Sequence, residues 1–477
     1  MSRKKVKNPV LEKLRVDDYA AEGKSLARIE GKVIFIEGAV PGDVVDVLLK
    51  KNKKDWAEGK AIHFHERSPM RVEPFCSHFG TCGGCKWQML PYEKQLEYKQ
   101  NEVEQNLRRL GRIPLPPLMP IIGCEKTSRY RNKLEFTFSS RRYKTHEEIL
   151  RERETLLSEP EIPDDQVLGF HAPGLFDKVI DIDTCHLMEE PANQIKNVIR
   201  DFSKQQGYRF FDIRRHTGWL RNLIVRKTST GEVMVNICLA YDDETERKRL
   251  LDNLLEKIPA VSSLYYTINP KKNDSIHDLT PQLYAGKPFI TEQLEDRRFR
   301  ISPKSFFQTN SLQAERLYQV TRDFCELTGH EVVYDLYCGT GSIGLFVSGN
   351  CQSVIGIELV PEAIDDAKEN ALLNNVRHAH FFSGDVTELC NDAFFELNGK
   401  PDVIITDPPR AGMHEKLVRK ILEIEATLVV YVSCNSATQA RDLQWLHEKY
   451  DITRIQPVDM FPQTQHIENV AQLKLRV

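Results

Sequence analysis

The stretch EVVYDLYCGTGSIGLF, residues 331–346, decides the fold class of the C-terminal part of this chain. It begins with the β-branched and aromatic residues of a buried strand and continues as a glycine loop that enters a helical pattern. Further strand-like runs follow, with helical patterns between them. This alternation predicts a parallel, doubly wound α/β sheet whose ligands gather at the carboxyl ends of its strands. The runs are SVIGIELV (353–360), HAHFFSG (378–384), PDVIITDPPR (401–410) and LVVYVSC (428–434).

The glycine loop alone is compatible with two ligands. GTGSIG, residues 339–344, matches G-x-G-x-x-G, and Glu358 follows at the end of the next strand, as in dinucleotide-binding proteins. Asp335, Asp385 and Asp407, however, also lie at or near strand ends. Carboxylates repel a pyrophosphate and attract the sulfonium and ammonium groups of S-adenosylmethionine, so the pattern favours S-adenosylmethionine over NAD. Taken singly, Asp335 and Asp385 could also be helix N-caps.

Length and composition indicate a multidomain protein of the cytoplasm. A chain of 477 residues exceeds one hydrophobic core, and we divide it into residues 1–66, 67–300 and 301–477. We find no apolar run of membrane-spanning length and no signal peptide, so the eleven cysteines are expected to be thiols, metal ligands or catalysts. A net charge of −3 argues against polyanion binding by the whole surface, but local basic patches can bind RNA. These patches are Arg3–Lys7, Lys50–Lys54, Arg129–Lys133 and Arg214–Lys227.

The first two regions differ in their patterns. Residues 10–66 contain short strand-like runs with glycine punctuation, which predicts a small β-barrel that either presents a basic loop to RNA or is only structural. Residues 67–300 are mixed, with a helical pattern at Tyr92–Leu110 followed by strand-like runs. The charged tract Lys144–Glu161 is predicted to be an exposed helix or an insertion.

Cysteines are concentrated in FCSHFGTCGGCKW, where Cys76, Cys82 and Cys85 fall within ten residues. The glycines between the last two let the chain wrap tightly, so that several thiolates can face one centre. Tetrahedral zinc and a [4Fe–4S] cluster both need four ligands, and the fourth could be Cys185, or His78 for zinc. The spacing differs from that of paired zinc-ribbon cysteines, which favours iron–sulfur.

One cysteine stands apart, Cys434 in YVSCNSATQARD, residues 431–442. It ends a hydrophobic strand and precedes a helical pattern at Ala437–His447. Most strand cysteines are inert core residues. A position near a helix N-terminus, however, favours the thiolate, and His466 or Glu468 could also assist it, so Cys434 could instead be a nucleophile.

These motifs together resemble the RNA uridine-C5 methyltransferases of the RumA/TrmA type, and most closely the RumA (RlmD) branch, which acts on ribosomal RNA. The resemblance covers essentially the whole chain. The N-terminal region looks like a TRAM domain, and the C-terminal region looks like a Rossmann-like class I methyltransferase domain. The motifs that carry the resemblance are SPKSFFQTN, DLYCGTGSIG, GIELV, SGDV, DPPRAG, VSCN-ATQARDL and FPQTQHIENVAQL.

The resemblance implies roles for residues in three groups. Cys434 is implied as the nucleophile and Glu468 as the base. The implied contacts of S-adenosylmethionine are Gln308, Tyr337, Ser342, Glu358, Asp385 and Asp407, and the implied [4Fe–4S] ligands are Cys76, Cys82, Cys85 and Cys185. Ser436 departs from the family, which usually has proline at that position.

The implied reaction adds the Cys434 thiolate to C6 of uracil, methylates C5 and removes the C5 proton with Glu468. Asp407 and Arg410 could position the uracil. The substrate is expected to be single-stranded or flipped RNA, most closely 23S rRNA with tRNA as an alternative, and the enzyme is expected to be a monomer. Candidate stacking surfaces are Phe306, Phe307 and Phe461.

Three other functions remain open from the sequence. An N-methyltransferase would share the DPP motif but need no cysteine. A non-catalytic iron–sulfur RNA-binding protein could keep the fold as a scaffold. A dehydrogenase would bind nicotinamide.

Overall fold

A computed structural model of the chain describes residues 9–156 and 165–476. The basic run Arg3–Lys7 and residues 157–161 of the predicted charged tract lie outside these residues. No helix in the described ranges has the length and apolar character needed to cross a membrane.

The N-terminal region folds as a sheet of six strands in the order β1-β5-β6-β4-β3-β2. Alternate residues point inward, as period-two patterning predicts, and Ile34, Ile36, Val45 and Val47 form the centre of a small apolar core. The strands are β1 (Val10–Arg15), β2 (Asp18–Ala20), β3 (Lys24–Ile29), β4 (Lys32–Glu37), β5 (Val44–Asn52) and β6 (Trp56–Glu66).

The middle region is built on a mixed sheet of seven strands in the order β13-β12-β11-β10-β7-β8-β9. Helices α3 and α4 cover one face of this sheet and enclose an apolar core with it. The elements are α1 (Tyr92–Asn106), β7 (Lys133–Ser139), α2 (His146–Leu156), β8 (Val167–His171), β9 (Val179–Asp181), α3 (Ala192–Gln205), β10 (Leu220–Lys227), β11 (Val233–Leu239), α4 (Glu244–Lys257), β12 (Val261–Ile268) and β13 (Gln282–Gly286). A separate hairpin follows, β14 (Ile290–Leu294) with β15 (Arg297–Ile301).

The C-terminal region is the predicted doubly wound domain, with strand order β18-β17-β16-β19-β20-β22-β21. The first five of these strands pair in parallel, and β22 joins β20 antiparallel. The elements are α5 (Ser311–Cys325), β16 (Val332–Leu336), α6 (Ser342–Val347), β17 (Ser353–Glu358), α7 (Pro361–Leu373), β18 (Ala379–Ser383), α8 (Val386–Leu389), α9 (Asp392–Asn398), β19 (Val403–Thr406), α10 (Glu415–Ile424), β20 (Leu428–Ser433), α11 (Ser436–Leu446), β21 (Tyr450–Val458) and β22 (Glu468–Leu475).

Helix α1 fastens the middle region to the loop that precedes β22. Lys99 and Asp459 form a fully buried ion pair at 2.6 Å, and Gln95 and Gln463 exchange two hydrogen bonds of 3.0 and 2.9 Å. Removing one partner of such a buried pair leaves an uncompensated charge, which costs about 3–5 kcal/mol. The approach to β22 is therefore held by residues more than 350 positions away in the sequence.

Candidate active site

Cys434 and Glu468 meet at the ends of two neighbouring strands. Cys434 directly follows β20, and Glu468 is the first residue of the antiparallel strand β22. Ser433 pairs with Asn469 in this ladder, so the register continued by one residue sets Cys434 opposite Glu468. Opposite residues in an antiparallel pair have neighbouring side chains. The sheet therefore brings together the predicted nucleophile and the predicted base, which are 34 residues apart.

Two amide side chains fix this pairing. Gln439 on α11 donates to the carbonyls of Tyr431 and Asn469 at 3.0 and 3.2 Å, and Asn469 donates back to Gln439 at 2.7 Å. Asn435 caps α11 and donates to the carbonyl of Arg410 at 3.0 Å. Buried and reciprocal hydrogen bonds of this kind leave the chain few alternative conformations. They hold the cysteine loop, the base strand and the DPPR loop in fixed relation.

Ser436, where the family usually has proline, makes a bond that proline cannot make. Its hydroxyl accepts from Asn106 Nδ2 at 2.9 Å, which joins the start of α11 to the end of α1. The side chain is buried. The departure from the family pattern is therefore compensated by a hydrogen bond.

The thiolate that the helix start favours at Cys434 is opposed by the surroundings of this side chain. Cys434 is half-buried, and burial raises its pKa to about 11, with the carboxylates of Glu468 and Asp407 adding to the rise and Arg410 opposing it. The start of α11 lies two residues away and favours the thiolate, whereas burial and the two neighbouring acids disfavour it. The thiol must therefore lose its proton when the substrate binds.

Acid groups crowd around this cysteine. Burial, and the neighbouring Asp407, raise the pKa of Glu468 well above its usual value, while Arg410 lowers it. Burial likewise raises the pKa of Asp407. The guanidinium of Arg410 donates to His466 Nδ1 at 3.2 Å. Burial, and then Arg410, lower the pKa of His466 to about 4, so this imidazole is neutral at physiological pH.

The glycine loop forms a tight turn between β16 and α6. Gly341 has φ of +75° at the helix start, and a Cβ there would stand 2.8 Å from the ring of Phe381. Gly344 donates its backbone N–H to Asp335 Oδ2 at 2.8 Å, and a Cβ on Gly344 would stand 2.9 Å from that oxygen. Only glycine fits these two positions. Asp335 thus supports the loop, although the helix N-cap is Gly341 and not Asp335.

The other oxygen of Asp335, Oδ1, is buried and has no hydrogen-bond partner in the described part of the chain. Burial raises the pKa of Asp335 to about 7, and the nearby carboxylates of Asp407 and Glu358 contribute to the rise. A buried carboxylate without a partner is costly unless a donor or a cation approaches it. These carboxylates fit a positively charged ligand and disfavour a pyrophosphate.

Two residues line the loop from its sides. Glu358, at the end of β17, accepts from the backbone N–H groups of Gly339 at 3.3 Å and Val360 at 3.0 Å, which holds its carboxylate at the loop. Tyr337 has φ of +61°, a left-handed conformation that costs a non-glycine residue about 1–2 kcal/mol. Such strain is typical of functional sites.

The remaining predicted cofactor contacts are placed as follows. Asp385 is exposed and accepts from the backbone N–H of Thr387 at 2.7 Å. It is therefore the N-cap of α8, one of the two roles that the sequence left open for it. Ser342 Oγ lies 3.0 Å from the hydroxyl of the buried Tyr318. Gln308 is half-buried, and its backbone carbonyl accepts from Asn132 Nδ2 at 2.9 Å.

Of the three candidate stacking rings, two are packed against the protein. Phe307 is buried in the core, so its assignment as a stacking surface is wrong. Phe461 is half-buried beneath the guanidinium of Arg131, 5.5 Å from its ring centre. Phe306 is 72% exposed and is the ring free to stack on a base.

One cavity of about 250 Å³ is lined by all four predicted cluster ligands, Cys76, Cys82, Cys85 and Cys185. Burial, followed by the neighbouring thiols of Cys185, Cys82 and Cys76, raises the pKa of Cys85 to about 12. None of the described residues that line this cavity carries a carboxylate. Among the described residues, no group of three His, Cys, Asp or Glu side chains is placed to hold a metal ion. His78 Nε2 accepts a hydrogen bond from the backbone N–H of Asp183 at 3.2 Å. The cavity is therefore lined by four cysteine thiols.

Comparison with known proteins decides the family. Residues 280–476 match the profile of the family described as tRNA (uracil-5-)-methyltransferase, and residues 13–62 match that of the TRAM domain. An uncharacterized RNA methyltransferase of Bacteroides thetaiotaomicron is 50% identical over 462 residues, which are 96% of this chain and 100% of that protein. The chain belongs to the tRNA (uracil-5-)-methyltransferase family. A second uncharacterized RNA methyltransferase, of Porphyromonas gingivalis, is 47% identical and spans 96% of this chain and 99% of that protein.

A solved structure is similar to this methyltransferase over its whole length. The Pyrococcus abyssi tRNA (uracil-54, C5)-methyltransferase in complex with S-adenosyl-L-homocysteine has a TM-score of 0.73 and 26% identity, covering 97% of this chain and 100% of that one. The predicted TRAM domain, the class I methyltransferase fold and the preference for S-adenosylmethionine over NAD are thereby confirmed. The protein is an S-adenosylmethionine-dependent RNA methyltransferase.

Sequence reasoning missed several residues that build the methyltransferase site. Tyr318 stands beside Ser342, and burial followed by nearby carboxylates raises its pKa. Gln439 ties β20 to β22. Gln439 lies within the quoted nucleophile motif, so its presence there was a usable signal. Tyr318 lies in an ordinary amphipathic helix and gave none.

Proposed function

We propose that this methyltransferase transfers a methyl group to C5 of a uridine in RNA through a covalent bond between Cys434 and C6. The observation that carries the proposal is the register of β20 and β22, which sets Cys434 opposite Glu468. An N-methyltransferase needs neither group, and a non-catalytic scaffold gains nothing from a half-buried thiol beside a buried acid.

The steps follow from the chemistry of uracil. The Cys434 sulfur forms a bond to C6, which converts the ring to an enolate and makes C5 nucleophilic. C5 then forms a bond to the methyl group as the bond between that methyl group and the sulfonium sulfur breaks, which leaves S-adenosylhomocysteine. Glu468 takes the C5 proton, the C5–C6 double bond re-forms, and the C6–S bond breaks to release the thiolate.

The thiol proton needs an acceptor, because Cys434 in the free protein has a raised pKa. The carboxylate of Asp407 can accept it, which leaves Glu468 free to take the C5 proton, and the positive charge of Arg410 favours the ionised forms of both Cys434 and Glu468. Two residues hold Arg410 in place. Asn435 donates to the backbone carbonyl of Arg410, and His466 accepts from the guanidinium of Arg410. We infer that Arg410 is the cation that promotes loss of the thiol proton.

S-adenosylmethionine, when bound, supplies the electrophilic methyl group. Asp335 keeps the glycine loop in shape and offers an unpartnered oxygen, and Glu358 presents a carboxylate held by backbone N–H groups, as ribose hydroxyls require. We propose that the cofactor contacts are Gln308, Tyr337, Ser342, Glu358, Asp385 and Asp407.

For the RNA substrate we propose 23S rRNA, on the resemblance to the RumA branch, with tRNA as the second candidate. The full-length similarity to the Pyrococcus abyssi tRNA (uracil-54, C5)-methyltransferase favours the second candidate.

The assay that tests the function uses purified protein, S-adenosylmethionine, and unmodified transcripts of 23S rRNA and of tRNA in parallel. We expect 5-methyluridine in the 23S rRNA by nucleoside mass spectrometry, and none in tRNA. Methylation of tRNA alone would correct the substrate and leave the chemistry intact. A methyl group on a base nitrogen would refute the C5 proposal.

We propose that Cys76, Cys82, Cys85 and Cys185 hold a [4Fe–4S] cluster. Four thiol side chains around a common cavity, without a carboxylate, suit this ligand set. Gly83 lets the chain pass close to Pro173, since a Cβ there would stand 2.8 Å from its ring. The cluster would neutralise the cost of burying four thiols together and tie the segment at 76–85 to the middle region.

Anaerobically purified protein is expected to contain about four iron and four sulfide ions per chain. Cys185→Ser removes one ligand and should lower the iron content and the visible absorption of the cluster severalfold. The matched control is Cys124→Ser, a half-buried cysteine outside the cavity, which should keep both. Wild-type protein with stoichiometric zinc, or with no metal, would contradict the proposal.

We further propose the division into residues 1–66, 67–300 and 301–477, because the three large sheets fall in these ranges. We propose that the enzyme acts as a monomer in the cytoplasm. The cysteines of the described residues are free thiols, which is typical of that compartment.

A further inference from the structure

The middle sheet has one apolar face and one mixed face, on which Met234 and Tyr265 join the core of the C-terminal region. Leu134, Phe136 and Val225 point to the core beneath α3 and α4. The residues between them point to the opposite face, because side chains alternate along a strand. On β7 and β10 this opposite face carries charged and amide side chains, several of them buried. Buried polar side chains need hydrogen-bond or ion-pair partners.

Two cations stand directly opposite each other on this face. Lys133 of β7 pairs with Arg226 of β10 in the antiparallel ladder, an arrangement in which like charges repel. The nearby carboxylate is Glu135, whose Oε2 lies 3.6 Å from Lys133 Nζ. One carboxylate does not balance two cations. Among the residues that the structure describes, Glu135 is the carboxylate that acts on both cations, so the pair keeps a net positive charge.

The hydrogen bonds of this face are also incomplete. Arg226 is 6% exposed and donates through Nη2 to the carbonyl of Ser305 at 2.7 Å, while its Nε is buried without a partner among the described residues. Asn222 lies on the same face of β10, and its Oδ1 is likewise buried and unpartnered there. The face is open at β7, where Glu135 is exposed and the Lys133 side chain is 30% exposed. An anion can reach the pair from that side.

This face adjoins the segment that carries the exposed ring. The carbonyl of Ser305, bonded to Arg226, directly precedes Phe306, which is 72% exposed. Asn132, next to Lys133, donates to the carbonyl of Gln308 and to the hydroxyl of Ser311 at 2.9 and 2.8 Å. A ligand at the cation pair would therefore lie beside a free aromatic surface and beside a segment of the methyl-transfer site.

We propose that Lys133 and Arg226 form a binding site for a phosphodiester group of the RNA substrate, with Phe306 as the stacking surface for an adjacent base. Cationic side chains beside an exposed ring are the combination that binds single-stranded nucleic acid. The bound phosphate cancels the repulsion within the pair. This proposal rests on the proposed function, because it takes RNA as the substrate.

The test compares Lys133→Gln with wild type, using the transcript that accepts methyl groups in the assay above. We expect the Kd for RNA to rise about tenfold at moderate salt. The slope of log Kd against log salt concentration should fall by about one, because one phosphate contact is lost. Because the substitution relieves repulsion in the free protein, the melting temperature should stay the same or rise. An unchanged Kd and slope would overturn the proposal.

Two further variants sharpen the test. Glu135→Gln removes the competing carboxylate and should tighten RNA binding. Lys227→Gln is the matched control, because it removes the next cation on β10. Lys227 already forms an ion pair with Glu189 at 2.9 Å, so its loss should change the Kd for RNA less than twofold. Equal losses in Lys133→Gln and Lys227→Gln would mean a general charge effect and would overturn the site.

A cofactor measurement separates the two anions that could bind here. The Kd for S-adenosylmethionine should stay within twofold in Lys133→Gln. If that Kd rises while RNA binding is unchanged, the pair binds the cofactor carboxylate and the RNA site is refuted. A wild-type protein that neither binds nor methylates RNA would refute the proposed function itself, whereas active methylation with unaltered Lys133→Gln binding refutes this site alone.

Discussion

Cys434→Ala is expected to lower the rate of RNA methylation by more than about 10³-fold, because it removes the nucleophile that activates C5. Without the bond to C6, uracil C5 has too little electron density to attack the methyl group. Binding of RNA and of S-adenosylmethionine should persist, since Cys434 is not among the proposed cofactor contacts. The measurement is formation of 5-methyluridine under single-turnover conditions, together with the Kd of each ligand.

Cys351→Ala is a matched control, because it removes a half-buried cysteine of the same domain that lies at the edge of the core, with its thiol 3.7 Å from the carbonyl of Ser348. It should keep near wild-type activity. An active Cys434→Ala protein would exclude covalent catalysis and revive the N-methyltransferase alternative.

The raised pKa of Cys434 gives this prediction a second readout. With a pKa of about 11, the thiol is protonated at neutral pH in the free protein. Its alkylation by iodoacetamide should therefore accelerate about tenfold per pH unit from pH 7 to pH 10. Mass spectrometry of the Cys434 peptide measures this rate. A plateau below pH 8 would instead indicate the thiolate stabilised by the helix N-terminus.

Glu468→Gln is expected to slow turnover by about 10²–10⁴-fold and to trap the RNA on the protein. The thiol can still add to C6 and C5 can still gain the methyl group. The C5 proton then has no base to remove it, so the C6–S bond cannot break. The measurement is an RNA–protein adduct that survives denaturing electrophoresis and contains one added methyl group.

The isosteric amide should disturb the fold little. Burial and the neighbouring Asp407 already raise the pKa of Glu468, so glutamine resembles the protonated side chain. The double variant Glu468→Gln, Cys434→Ala is the control, and it should form no adduct. Rapid turnover by Glu468→Gln would assign the role of base to another acid, with Asp407 the nearest candidate.

Much of this protein could be predicted from sequence because its signals are local. The strand–glycine loop–helix pattern at 331–346 fixes a backbone conformation that only glycine permits, and the alternation after it specifies a doubly wound sheet. The helix predicted at Ala437–His447 is found at Ser436–Leu446. The cysteine-rich segment and the nucleophile motif are likewise contiguous, so their residue types could be read directly.

The electrostatics of the site could not be predicted in this way. The sequence indicates a helix start beside Cys434 and hence a lowered pKa, whereas burial next to Glu468 and Asp407 raises it. The sign depends on how deeply a side chain is buried and on which charges surround it. Both are properties of distant chain segments, and Asp407 and Glu468 are separated by 61 positions in the sequence.

The sequence by itself therefore determined the fold class, the family motifs and the identity of the candidate reactive groups. The tertiary structure alone decided which of these groups meet: Cys434 with Glu468 through strand register, and Lys133 with Arg226 across β7 and β10. It also decided that Phe306 is exposed while Phe307, its neighbour, is core. The physical reason is that local patterns specify backbone conformation, whereas pairing and burial are set by contacts between residues far apart in the chain.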